Sequence, residues 1–137
     1  MGPTTINIAV LHAQEPLCEA LCDFIADEVG FRVIGGSGSA PAAVELLRNA
    51  TTHVLVVDLA SVGDGATQLL LAVREASPGT SVLLMVQDQP TGELAELMAR
   101  GAGGYLATAR ASADLPAALR TIGMGRRYRP SAEVGVA

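Results

Sequence analysis

Five short apolar runs, separated by stretches of helical periodicity, restrict most strongly what this chain can fold into. They are INIAVL (Ile6–Leu11), FRVIGG (Phe31–Gly36), HVLVVD (His53–Asp58), SVLLMV (Ser81–Val86) and GGYLAT (Gly103–Thr108). Runs this short and this apolar predict strands covered on both faces.

The intervening stretches predict helices. Pro16 opens the first, with Leu17, Leu21, Phe24 and Ile25 as its inward stripe and Glu19, Asp23 and Asp27 as an acidic, solvated one. Pro41 opens the second, which carries Val44, Leu46 and Leu47. The third covers about 66–76 and stops at SPG (Ser77–Gly79). The fourth is TGELAELMARGA, from Thr91, closed by Gly101. The fifth runs from Ser112, as N-cap, to about Met124, with Pro116 near its first turn.

Strict alternation of strand and helix predicts an α/β fold, a doubly wound parallel sheet with helices on both faces. Ligands in such sheets sit at the carboxyl ends of the strands. Those ends are His12–Glu15, Gly35–Ser39, Asp58–Asp64, Val86–Pro90 and Ala107–Arg110.

At 137 residues the chain is the size of one domain, residues 1–124, followed by a tail or the start of a linker, 125–137. Half of the residues are apolar but only 3% aromatic, so Ala, Val, Leu and Ile must build the core. The net charge of −5 argues against a nucleic-acid surface. Arg126, Arg127 and Arg129 read as a solvated end. No stretch is long enough to span a bilayer, and no leader is visible, so the expected location is the cytoplasm.

All nine basic residues are Arg; there is no Lys. Cys18 and Cys22, four apart on one helix, read as small buried residues rather than a disulfide or zinc site. GGSGSAP (Gly35–Pro41) departs from the dinucleotide-binding pattern because Pro41 stands where Gly or Ala is needed. His12 and His53 have no partner at ligand spacing and read as structural. No catalytic triad can be placed, so no catalytic residue and no enzyme activity is expected.

Over about residues 5–124 the chain resembles the receiver domain of bacterial two-component response regulators, nearest the nitrate/nitrogen-fixation class. The resemblance rests on VLHAQEPLCEAL, RVIGGSGSAPAAVELL, HVLVVDLASVGDG and LMARGAGGYLATARASADLPAALRTIGMGRRYRP. It implies a flavodoxin-like (βα)5 fold, five parallel strands in the order 2-1-3-4-5.

It also assigns positions. The phosphorylated Asp falls on Asp58. Matching the EP of Glu15–Pro16 puts the two Mg2+-holding acids on Ala13 and Gln14, the hydroxyl residue on Val86 and the Lys on Thr108. Of five chemical positions one survives. Mg2+ prefers carboxylates and other oxygens, so its binding is expected to be weak or absent, and no cofactor is expected. Asp58 is then a structural residue that caps or hydrogen-bonds a loop one residue shorter than usual.

The resemblance further implies an output surface over about Thr91–Met124, including Tyr105 and Arg120, with Tyr105 also able simply to pack. The expected function is an atypical receiver that signals without phosphorylation, through a protein partner or homodimer. It could precede a DNA-binding domain, with no direct nucleic-acid contact of its own. Two alternatives remain open: a phosphoacceptor receiver modified on Asp58 by a histidine kinase, and a sensor of a small ligand in the altered pocket.

Overall fold

A computed structural model describes residues 5–87 and 92–130. The strands are β1 (Ile6–Leu11), β2 (Phe31–Ser37), β3 (Val54–Asp58), β4 (Ser81–Val86) and β5 (Gly104–Ala107). The helices are α1 (Glu15–Ala26), α2 (Ala40–Asn49), α3 (Leu59–Val62), α4 (Ala66–Ala76), α5 (Gly92–Ala99) and α6 (Ala111–Gly123). All strand pairs are parallel and the order is β2-β1-β3-β4-β5. This is the flavodoxin-like arrangement that the alternating pattern and the resemblance predict.

Side chains alternate across the sheet, so each strand feeds two cores. Ala9, Leu11, Leu55, Val57, Val82, Leu84, Val86 and Tyr105 pack with α2, α4 and α5. Ile8, Val10, Val54, Val56, Leu83, Met85 and Leu106 pack with α1 and α6. The β1–β3 register, Ile8↔Val54 through Leu11↔Val57, holds the two central strand ends level.

Three details depart from the sequence reading. The inward face of α1 is Cys18 and Ile25, with Leu21, Cys22 and Phe24 half-buried, whereas Leu17 is 51% exposed. Leu17 lies about 100° around the helix from Cys18, and the small thiol, not the larger leucine, fits against β2. Ser112 is not an N-cap: α6 begins one residue earlier, and its cap position, Arg110, has no side-chain cap bond. Third, residues 125–130 are not a free tail, because Tyr128 pairs with Gly104 at the edge of β5.

The loop after β3 folds into the single turn α3 and a 3-10 turn, Gly63–Gly65. Gly101 closes α5 as expected, in the left-handed region at φ 112°. His53 is structural: its Nδ1 accepts the Asn7 backbone N–H at 2.8 Å. Cys18 and Cys22 are free thiols.

Candidate functional site

The centre of the strand ends is Asp58, the last residue of β3 and 4% exposed. A carboxylate at that depth needs hydrogen bonds or an opposite charge. Ser61, three residues on, supplies the first: its hydroxyl donates to Asp58 Oδ2 at 2.6 Å. Ser61 Oγ in turn accepts the Ala13 backbone N–H at 2.9 Å. The Ser61 side chain therefore ties both Asp58 and the β3 loop to the β1 loop.

His12 stands on the other side. The β1–β3 register continued by one residue sets His12 opposite Asp58. The His12 Nε2 lies 3.6 Å from Asp58 Oδ2, within ion-pair range and longer than an ordinary hydrogen bond. Its Nδ1 accepts the Gln14 backbone N–H at 3.1 Å. Because Nδ1 is an acceptor, the ring proton is assigned to Nε2, which faces the carboxylate.

The sequence-matched residues are distributed around this centre unequally. Ala13 and Gln14 are exposed, and their backbone N–H groups, not their side chains, enter the network. Val86 closes β4 and is buried among the α2, α4 and α5 contacts. Thr108 opens the 3-10 turn after β5, with its Oγ1 buried and lacking a hydrogen-bond partner.

Tyr105 is 6% exposed and packs in the core, so in this conformation it is no part of an accessible surface. Arg120 is exposed on α6, with its guanidinium 5.0 Å above the centre of the Phe31 ring. Thr91 and the loop residues Asp88–Pro90 lie outside the described residues.

His12 is the residue that sequence matching did not bring to the site. The signal was present: Val10 and His12 share a strand face, as do Val56 and Asp58, and a parallel register aligns the two pairs.

The resemblance implies Mg2+, and the residues present do not fit it. Mg2+ needs oxygen donors, and Asp58 offers one carboxylate whose Oδ2 already accepts from Ser61 and faces an imidazole N–H. Among the described residues no group of three or more His, Cys, Asp or Glu could hold a metal ion. Beside the site, rather than over Asp58, a cavity of about 430 Å3 opens between α1 and β2, with His12, Glu15, Cys18, Cys22 and Ser37 on its walls.

No family model matches the chain. It is 22% identical over 123 residues to the response regulator UvrY of Escherichia coli K12, covering 90% of this chain and 56% of that protein. The chain thus spans about half the length of the curated relatives it matches. In structure it superposes on the isolated REC (receiver) domain of RcsB from Salmonella enterica serovar Typhimurium, apo form. That match has a TM-score of 0.84 and 21% identity and covers 96% of this chain and 98% of the other. A LuxR-family response regulator from Aurantimonas sp. SI85-9A1 matches equally well, with a TM-score of 0.84, 23% identity and coverage of 96% and 94%. Longer RcsB chains, seen as dimers bound to DNA, also match, with a TM-score of 0.83, 18% identity and coverage of 96% of this chain and 66% of theirs.

Proposed function

We propose that this receiver domain of the response-regulator type regulates by protein contact and does not depend on phosphorylation of Asp58. The observation that carries the reading is the company Asp58 keeps. Its Oδ2 accepts from Ser61 at 2.6 Å and faces His12 at 3.6 Å, and among the described residues no group of three or more His, Cys, Asp or Glu could hold a metal ion. Phosphoryl transfer to a carboxylate brings negative charge together and needs a metal or cation to stabilise it. Thr108 stands where the resemblance expects Lys, and the nearby Arg110 is paired with Asp114 at 3.3 Å. Val86 offers no hydroxyl to a phosphoryl oxygen.

In this reading Asp58 is structural. It holds the shortened loop through Ser61, and the His12 Nε2 faces it at 3.6 Å. The contact surface is the α5–β5–α6 side, and the partner is a protein or a second copy of the chain. RcsB, in its longer form, is seen as a dimer on DNA. A DNA-binding segment beyond residue 137 would give this domain the same kind of target, reached in the cytoplasm. Among the described residues no helix is long and apolar enough to cross a membrane.

The test is incubation with acetyl phosphate and Mg2+, followed by intact-mass measurement. The expected result is an unmodified chain. A stoichiometric phosphoryl adduct that disappears in Asp58→Asn would establish the phosphoacceptor reading instead. A small-molecule sensor would show itself as a metabolite that raises the melting temperature, with the cavity beside His12 as the first place to look.

A further inference from the structure

Helix α6 does not release the chain at its end. Gly125 takes φ 86°, and its N–H donates to Ile122 O at 2.9 Å while the Arg126 N–H donates to Thr121 O at 3.1 Å. These two bonds satisfy carbonyls that a helix end otherwise leaves open, and the left-handed residue turns the chain back. The turn lays residues 126–130 along the free edge of β5. There the Tyr128 N–H donates to Gly103 O at 2.9 Å, and the Tyr105 N–H donates to Tyr128 O at 3.3 Å. Tyr128 is in effect one residue of a sixth parallel strand.

Two further features fit this segment to its seat. A Cβ on Gly104 would stand 2.6 Å from Tyr128 O and 2.9 Å from Tyr128 Cβ, so only glycine lets the two backbones meet. The Arg127 guanidinium donates to Met98 O and, at 3.0 Å, to Ala102 O. Met98 O belongs to the last turn of α5, the negative end of its dipole, and Ala102 O to the connection between α5 and β5. Arg74 of α4 donates to the carbonyl of Arg100, the residue that follows α5, at 2.6 Å.

The segment is therefore attached to two elements by separate bonds, through Tyr128 to β5 and through Arg127 to α5. We infer that residues 125–130 are a strap that couples the α5–β5 face to the end of α6 and to the sequence that follows it. A shift of α5 breaks the Arg127 bond to Met98, and a shift of β5 breaks the Tyr128 bonds, so either one releases the strap from one of its two seats. The inference rests on the proposed function only for the use of that face by a partner; the coupling is a property of the domain itself.

Hydrogen exchange read by mass spectrometry on the full chain tests it in both directions, because coupling between two sites is reciprocal. Arg127→Gln is expected to speed exchange in the Tyr128 peptide by about tenfold or more, the loss expected when a charged hydrogen bond is removed. It is also expected to speed exchange around Gly101 and Ala102, while β1 and β3 stay as protected as before.

In the other direction, Leu97→Ala in α5 is expected to loosen the strap more than Leu47→Ala in α2, compared at equal residual stability in urea. Leu97→Val and Leu47→Val serve where the alanine variants do not fold. The inference is overturned if Arg127→Gln affects the strap alone, or if strap exchange follows global stability whichever helix is altered. Phosphoryl transfer to Asp58 would sink the proposed function and leave this coupling standing; a strap indifferent to α5 would do the reverse.

Discussion

The His12 imidazole and the Asp58 carboxylate, 46 positions apart in the chain, face each other at 3.6 Å across the carboxyl ends of β1 and β3. The pair sits where the resemblance expects a cluster of acids, and it replaces mutual repulsion with attraction.

Converting His12→Asp should therefore reverse the local electrostatics. Two carboxylates in one buried site repel, and a divalent cation relieves them. The variant should melt below the parent in chelator and gain melting temperature in millimolar Mg2+, while the parent is unmoved by Mg2+. Differential scanning calorimetry with and without the ion decides it. A parent chain that Mg2+ stabilises would show that Asp58 holds the metal after all.

Ser61→Ala should cost about 1–3 kcal/mol of unfolding free energy, because it strips a partner from a buried carboxylate and from the Ala13 N–H at once. Asp58→Asn should cost less, since the amide oxygen still accepts from Ser61. Urea titration measures both, and a neutral Ser61→Ala would mean that the loop is held by other contacts.

Thr108→Val should leave stability unchanged or raise it by up to about 1–2 kcal/mol. A buried hydroxyl without a partner has its desolvation cost uncompensated, and the isosteric methyl removes that cost. A clear loss of stability in urea would show that Oγ1 makes a bond important to the fold.

The Cys22 thiol is pushed up to about 11, first by burial, then by Cys18 and the neighbouring Asp23 and Glu19. Its alkylation by iodoacetamide at pH 8 should be about a hundredfold slower than that of an ordinary thiol, because only the thiolate reacts. The rate should keep rising through pH 10 and equalise in denaturant. The folded value lies above the unfolded one, so the associated stability is complete below pH 9 and falls as pH climbs towards 11. A rate that levels off near pH 9 in the folded chain would contradict the burial argument.

The apolar runs and helical spacings specified every strand and the five longer helices, since those patterns report directly which face of an element is buried. They also marked Asp58 as the end of β3 and Gly101 as the end of α5. They misjudged the inward face of α1 because Leu17 is more apolar than Cys18, and hydrophobicity ranks residues without regard to the width of the gap they must fill. They missed the strap because GRRYRP has neither a helical nor a strand period; its order comes from carbonyls and an edge supplied by α5 and β5.

The layered α/β architecture follows from the sequence alone, and so does the loss of chemistry at the five matched positions: only Asp58 keeps its acid, there is no Lys anywhere, and Val86 and Thr108 stand in place of a hydroxyl and an amine. Which groups meet there follows from the packed sheet and its loops. His12 and Ser61 reach Asp58, and the Ala13 N–H reaches Ser61, through a parallel register and a tightened loop, and Arg127 reaches α5 through a turn at Gly125. Local periodicity carries information about burial, whereas pairing between distant residues depends on strand register and loop length, and these are settled only when the whole sheet is packed.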